Sequence, residues 1–146
     1  MNDYQTLREK HQQEVHAFPM FFAFDNRQFE TAMSKRGLNP DDTDQIYKLG
    51  GTGGFYLRSD APRLHEMFDR HEKERLDAID ADTKGTGYIF QMFFFELASN
   101  EYNYTGDLTG TLEALGIPFE DIEKSKTLKK GLEKAIREIK RRGDPF

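Results

Sequence analysis

Apolar residues recur every three to four positions along most of the chain, which is the spacing of one face of an α-helix. The pattern predicts amphipathic helices over residues 3–16 and 126–141, and a third that begins near Ser59 or Asp60. Residues 88–101 are apolar on nearly every side, as expected of a central, buried helix. Shorter helical segments are predicted after Asp25, over 39–42, over 108–115 and from Pro118 to Ile122.

A glycine-rich segment separates two short apolar runs near the middle of the chain. Ile46–Leu49 precedes and Phe55–Leu57 follows Gly50–Gly54, which holds four glycines in five residues. Two β-prone runs joined by glycine predict a hairpin over residues 46–58 whose tip has almost no side chains. Met20–Phe24 is another short aromatic run, compatible with a strand or with an extended core segment.

Length and composition agree with this pattern. A chain of 146 residues is near the common size of one domain, and 13 Phe with six Tyr can supply an aromatic core. We therefore predict an α-rich α+β fold. It would be a single domain over residues 1–146, with about six helices and one glycine-tipped β-hairpin.

Three further features of the sequence bear on where in the cell the protein is expected. Cysteine is absent, which excludes disulfides and thiolate chemistry and fits a reducing environment. The N-terminus lacks the basic and apolar regions of a secretory signal. The longest apolar stretch, Tyr88–Ala98, is much shorter than a membrane span of about 20 residues. A cytoplasmic protein without membrane contact is expected.

The net charge of −5 is unevenly distributed along the chain. Segment Lys124–Phe146 carries nine Lys/Arg and three Asp/Glu, a net +6, whereas the other 123 residues carry 12 Lys/Arg and 23 Asp/Glu, a net −11. A basic C-terminal helix can follow a phosphate backbone, which makes nucleic acid a candidate partner. The same helix can instead pack on its own acidic domain. The candidate contact residues are Lys129, Lys130, Arg137 and Arg141.

The hairpin tip is a candidate binding site. Phe55 and Tyr56 follow the glycines where a phosphate-binding loop has Lys and Ser/Thr, so neither that loop nor a dinucleotide fingerprint is present. Backbone N–H groups in a turn can still bind an anion or a partner. The alternative is an ordinary flexible turn. The candidate binding residues are Tyr47, Gly51, Thr52, Gly53, Tyr56 and Arg58.

Asp80, Asp82 and Thr86 give the segment after the third helix the appearance of an EF-hand calcium loop. In the two possible registers the closing position is Phe93 or Gln91, so the bidentate carboxylate that calcium needs is missing. We therefore expect a tight turn between two helices and no bound metal.

No other pattern predicts catalysis. His65 and His71 are six residues apart and lie on different faces of a helix, so they cannot share a zinc ion. His71 lies on the apolar stripe, which is typical of a hydrogen-bonded core or boundary histidine. No serine has the G-x-S-x-G context of a hydrolase nucleophile. Glu96 lies inside the apolar helix and is expected to pair with an Arg or a Tyr hydroxyl.

The run from Ile46 to Tyr56 and on through Ser59–Pro62, with the later Gly85–Tyr88, resembles small uncharacterised proteins of phages and mobile elements in Gram-positive bacteria. The Gly53–Tyr56 stretch is also similar to the Gly-Gly-Phe-Tyr of KlcA/ArdB-type antirestriction proteins. Proteins of that type are small, acidic, α+β and not enzymes. The resemblance implies a protein that antagonises a host defence, and it assigns no catalytic residue.

Two functional hypotheses follow. The first is a non-enzymatic acidic inhibitor from a phage or mobile element, which binds a host nucleic-acid-processing complex such as a CRISPR effector or a restriction enzyme and needs no cofactor. The second is a small-molecule or nucleotide site at the Gly50–Gly54 tip. A homodimeric structural module is a third possibility.

Overall fold

The computed structural model describes residues 2–142 of the chain. Helices dominate this part and a small antiparallel sheet accompanies them, which confirms the α-rich α+β class. The described residues form eight α-helices, more than the number predicted: α1 (Asp3–Ala17), α2 (Asn26–Lys35), α3 (Ala61–Ala81), α4 (Tyr88–Ser99), α5 (Tyr102–Thr105), α6 (Thr109–Leu115), α7 (Phe119–Lys124) and α8 (Lys126–Arg142).

Three short strands form the sheet, in the order β1-β3-β2. Strands β2 (Ile46–Leu49) and β3 (Gly54–Leu57) are the predicted hairpin, with Leu49 opposite Gly54. Strand β1 (Met20–Phe22) pairs antiparallel with β3, so the first part of the ambiguous aromatic run is a strand. Side chains alternate between the two faces of such a sheet, and both faces are covered by helices here.

The chain divides into two compact units, whose boundaries fall within α1 and α3. Within the described residues, unit 1 comprises 2–10 and 73–142, and unit 2 comprises 11–72. The prediction of a single domain over 1–146 stays a prediction, and residues 1 and 143–146 lie outside the described residues.

Unit 1 is built around α4, which packs against α8. Ile89, Phe93 and Leu97 of α4 are completely buried, as the apolar sequence of this helix predicts. Helix α8 approaches closely because Gly131 has no side chain: a Cβ there would lie 2.4 Å from Ile89 Cγ2 and 2.6 Å from the carbonyl oxygen of Gly85. Backbone packing at a glycine therefore sets the spacing of these two helices.

Unit 2 places the sheet between α2 and the first turns of α3. On one face, Phe21 and Ile46 pack with Met33 of α2. On the other face, Tyr56 packs with Ala61 and Leu64 of α3. Each face therefore has its own small apolar core.

Two segments need comment. Residues 39–42, predicted as a short helical turn, form a hydrogen-bonded turn: the Asp42 N–H donates to the Asn39 carbonyl at 3.0 Å, and Asp42 Oδ2 accepts the Asn39 N–H at 2.8 Å. A 3-10 turn follows at Thr43–Gln45. Helix α5 was not predicted. It lies between two residues in the left-handed conformation, Glu101 and Gly106. A left-handed residue is usually a glycine, so a glutamate at position 101 gives no sign in the sequence that the chain turns there.

Candidate functional site

Three predicted residues of the hairpin come together on one face of the sheet. Tyr47 and Tyr56 are opposite each other on β2 and β3, with ring centroids 5.7 Å apart. The guanidinium of Arg58 lies 4.6 Å from the centroid of the Tyr47 ring, within range of a cation–π contact. Tyr56 is buried, whereas Tyr47 is 40% exposed. Of the two tyrosines, Tyr47 is therefore the one that can contact a partner.

Gly51, Thr52 and Gly53 lie in the turn itself, and Thr52 organises it. Its hydroxyl donates to the carbonyl oxygen of Leu49 at 2.6 Å and accepts the Gly54 N–H at 3.1 Å. The Thr52 N–H also donates to the Leu49 carbonyl, at 3.3 Å. The turn thus has internal hydrogen bonds and is more ordered than its glycine content suggests.

Two exposed phenylalanines lie across the glycines of the tip. A Cβ on Gly53 would be 2.4 Å from Phe24 Cε1, and a Cβ on Gly54 would be 3.0 Å from Phe22 Cε1. Gly53 also has a positive φ of 78°. The turn therefore requires glycine at position 53, and the rings of Phe24 and Phe22 occupy the space that side chains at positions 53 and 54 would take.

Hydrogen bonds fix the backbone next to these rings. The Ala23 N–H donates to the Gly53 carbonyl at 3.0 Å, and the Phe24 N–H donates to Gln28 Oε1 at 2.8 Å. Gln28 belongs to the start of α2, where Asp25 accepts the Gln28 N–H at 2.7 Å, so the predicted capping interaction is confirmed.

Phe22 is 53% exposed and Phe24 is 76% exposed. We call the set Phe22, Phe24, Gly53 and Gly54 the hairpin-tip surface. Gly53 is in the binding set predicted from the sequence, whereas both phenylalanines are absent from it. The signal that could have found them is the Met20–Phe24 run, which contains more aromatic residues than a three-residue strand can bury.

The calcium-like loop is organised by one carboxylate. Asp82 accepts the N–H groups of Gly85, Gly87 and Ile89, each at 3.0 Å. Asp80 is exposed at the end of α3. The loop is a tight connection between α3 and α4, as predicted, and the Asp82 oxygens are engaged by the protein backbone.

The histidine predicted to be hydrogen-bonded is confirmed in that role. His71 is 3% exposed, and its Nε2 lies 2.9 Å from Glu14 Oε2. Its ring stacks on His11 at a centroid distance of 3.9 Å. Arg70 also hydrogen-bonds Glu14. The hydrogen bond from Arg70, followed by that from His71, lowers the pKa of Glu14 to about 2.

Glu96 has the kind of partner that was expected for it. The Tyr4 hydroxyl donates to Glu96 Oε1 at 2.6 Å, and Arg8 Nε lies 4.0 Å from the same oxygen. Burial raises the pKa of Tyr4, and the hydrogen bond to Glu96 raises it further. This buried pair fixes the start of α1 on α4 within unit 1.

The basic face of α8 is partly used within its own unit. Arg141 hydrogen-bonds Glu138 through Nε at 3.1 Å, and Lys134 Nζ lies 4.3 Å from the centroid of the Phe90 ring. Lys129, Lys130 and Arg137 are exposed. A nucleic-acid contact through Lys129, Lys130, Arg137 and Arg141 stays a prediction, and Arg141 would have to share its charge with Glu138.

Residues 2–142 contain no cluster of three or more His, Cys, Asp or Glu side chains able to hold a metal ion. In the same range, no helix combines the length and apolar character needed to cross a bilayer.

Comparison with known proteins identifies a family. A family model described as a family of unknown function, DUF7659, matches residues 3–138. Searches of curated proteins and of solved structures give no match. The predicted resemblance to an uncharacterised family is consistent with this result, whereas the phage and antirestriction associations stay predictions. Because the match covers nearly the whole sequence, the chain belongs to the family of unknown function DUF7659.

Proposed function

We propose that this chain is a non-enzymatic binding protein that inhibits a host defence complex, and that it contacts its protein partner through the hairpin-tip surface. The observation that carries the proposal is the pair of exposed rings, Phe22 and Phe24, which lie over glycine backbone on a segment whose own backbone is hydrogen-bonded. Exposed aromatic side chains are typical anchors of protein interfaces, and an ordered backbone beneath them lowers the conformational entropy that is lost on binding.

The contribution of such an anchor can be estimated. Burial of a phenylalanine side chain contributes about 1.5–3 kcal/mol relative to the exposed state. Phe24 is 76% exposed and has most of that free energy still to gain. Removal of this ring should therefore weaken partner binding about tenfold, since about 1.4 kcal/mol corresponds to a factor of ten.

The partner class rests on the resemblance to proteins of phages and mobile elements and on charge. Outside the basic C-terminal segment, the chain has a net charge of −11. Restriction enzymes and CRISPR effectors bind nucleic acid through basic grooves, and an acidic protein can be attracted to such a groove. The action would take place in the cytoplasm, where these complexes work.

The test is an infection assay in bacteria that carry one restriction or CRISPR system at a time. Expression of the protein should raise the plating efficiency of a targeted phage in at least one strain. The variant Phe24→Ser should lose most of this effect. Phe119→Ser is the matched control, because Phe119 is a 50% exposed phenylalanine of unit 1 and lies outside the proposed surface.

The result would contradict the proposal in two cases. In one, no strain of a panel that covers the main restriction and CRISPR types shows a rise in plating efficiency. In the other, Phe24→Ser and Phe119→Ser behave alike. Purified target complex should also bind the wild-type protein more weakly as salt is raised, because charge contacts are screened.

The alternative hypothesis, a nucleotide site on the tip amides, receives less support. The Gly54 N–H already donates to Thr52, and the ring of Phe24 lies over Gly53. A phosphate would have to displace both groups to reach these amides. A protein partner can instead contact the rings as they stand.

A further inference from the structure

A shallow groove of about 470 Å³ lies in unit 2, between strand β1 and helix α2. Its lining includes Phe21 and Phe22 of β1, Arg27, Thr31 and Lys35 of α2, and Arg36 directly after α2. We call it the β1–α2 groove, and we propose that it binds an extended acidic peptide segment, which adds to β1 as a further strand. The proposal deepens the proposed function and rests on it, because the segment would belong to the protein partner.

Strand β1 is an outer strand of the sheet. The sheet order is β1-β3-β2, so β1 has β3 on one side only. The Ala23 N–H donates to Gly53, which continues the ladder toward β3. Because backbone groups of successive residues point to opposite sides of a strand, the N–H and C=O of Phe22 point away from β3. They are available to a peptide main chain.

Arg36 limits the site at one end. Its Nη2 lies 3.5 Å from the carbonyl oxygen of Met20, and its Nη1 donates to the carbonyl of Ala32 at 2.9 Å. Its guanidinium also lies 4.2 Å from the centroid of the Phe21 ring. These contacts fix Arg36 over the Met20 end of the edge, so the peptide would pair with the Phe22 end.

The lining of the β1–α2 groove is positively charged. Arg27, Lys35 and Arg36 are cations, and none of the described residues that line the groove is acidic. This sign is opposite to that of the chain as a whole, which has a net charge of −5. A ligand with carboxylates would be attracted to the groove, and a basic one would be repelled.

The distance between two cations of α2 also fits an extended peptide. Arg27 and Lys35 are eight residues apart on one face of α2, which corresponds to about 12 Å along the helix axis. In an extended peptide, side chains four residues apart point to the same face and are about 13 Å from each other. The two cations therefore match two acidic residues at positions i and i+4 of a bound strand.

The test uses a fluorescent peptide of about eight residues, long enough for one extended strand across the groove. Glutamates stand at positions i and i+4, and Thr and Val occupy the other positions. Two comparison peptides have lysines in place of the glutamates, or have the two glutamates adjacent. Fluorescence anisotropy at low salt should rank the spaced peptide first, the adjacent peptide second and the lysine peptide last.

Protein variants examine the contacts. Arg27→Gln and Lys35→Gln should each weaken binding of the spaced peptide about threefold, the size expected of one exposed ion pair. Lys48→Gln is the matched control: it removes an exposed cation of the same sheet, on β2, that does not line the groove, and affinity should stay unchanged. Circular dichroism of each variant verifies that it is folded.

Backbone pairing has its own signature. Methylation of the peptide nitrogen that donates to the Phe22 carbonyl should weaken binding, whereas methylation of the next nitrogen along the peptide, which points away from β1, should not. Equal effects of the two methylations, equal affinity for the lysine peptide, or no effect of Arg27→Gln and Lys35→Gln would overturn the proposal. A short oligo-dT that binds more tightly than the spaced peptide would overturn it in favour of a nucleic-acid site.

The two proposals fail in different ways. If the spaced peptide binds as expected but no defence system is inhibited, the groove is a peptide site and the proposed function is wrong. If inhibition is found and depends on Phe24 while no acidic peptide binds, the inference about the groove is wrong and the proposed function stands.

Discussion

Removal of the Asp82 carboxylate is the sharpest test of how the loop between α3 and α4 is held. One Asp82 oxygen accepts the Gly85 N–H, and the other accepts the N–H groups of Gly87 and Ile89, all at 3.0 Å. The Ile89 N–H lies in the first turn of α4, where a negative charge is also favoured by the helix dipole. In Asp82→Ala these N–H groups lose their acceptor.

The expected cost follows from counting the groups left unsatisfied. The Gly85 N–H keeps a backbone acceptor, because the carbonyl oxygen of Asp82 lies 3.3 Å away. Two donors remain, and a part-buried unsatisfied donor costs about 1–3 kcal/mol. We expect Asp82→Ala to lower the free energy of unfolding by about 3 kcal/mol. The melting temperature should fall by about 10 °C in a chain of this length.

Asp82→Asn provides a graded comparison. Its amide oxygen can still accept from Gly87 and Ile89, but its NH₂ group faces the Gly85 N–H, so about 1 kcal/mol should be lost. Asp80→Ala is the control, because Asp80 is an exposed acid at the end of the same helix, and its replacement should change stability by less than about 0.5 kcal/mol.

Urea unfolding followed by circular dichroism measures all three variants. The reasoning is refuted if Asp82→Ala is no less stable than Asp80→Ala, because the carboxylate would then not hold the loop. It is also refuted if Asp82→Asn is less stable than Asp82→Ala, since the retained acceptor would then contribute nothing.

Two further predictions concern packing and pH. Gly131→Ala would stabilise an isolated helix by about 1 kcal/mol. In this protein the added Cβ meets Ile89, so we expect the free energy of unfolding, measured in urea, to fall by about 2–4 kcal/mol. A more stable variant would contradict the close approach of α8 to α4. The pKa of Glu14 is lowered to about 2 from 4.5, chiefly by Arg70, so its contribution to stability is present above pH 4.5 and is lost as the pH falls toward 2. Glu14→Gln should therefore flatten the acid side of the stability–pH curve, and an unchanged slope would show that the hydrogen bonds to Arg70 and His71 are not maintained in solution.

The regular elements could be predicted because their signals are local. Hydrophobic spacing indicated α1, α3, α4 and α8 to within a few residues at most ends, and the glycine segment indicated the hairpin. The capping interaction of Asp25 with Gln28 was also readable, because the two residues are three apart. Helix α5 was not readable, since it begins after a glutamate in the left-handed conformation.

The candidate site was harder to predict because it depends on contacts between distant parts of the chain. The glycines of the tip suggested a docking site or a mobile turn, but nothing in the sequence showed that the ring of Phe24, nearly thirty positions earlier, lies over Gly53. The cations of α2, Arg27 and Lys35, each stand beside polar residues in the sequence and look like part of an ordinary solvated helix face. Only the packing of α2 beside β1 shows that Arg27 and Lys35 border the edge of a strand.

The outer strands of the sheet also bear on how molecules of this protein avoid aggregation. An uncovered strand edge invites the edge of a neighbouring molecule, and repeated pairing of this kind leads to fibrils. Lys48 stands in the middle of outer strand β2, and the guanidinium of Arg36 reaches the Met20 carbonyl of outer strand β1. Edge-to-edge pairing of two copies would bring the cations of one copy close to those of the other, and their repulsion opposes the pairing. The protein is thereby expected to stay dispersed at high concentration while Phe22 remains available for one specific strand.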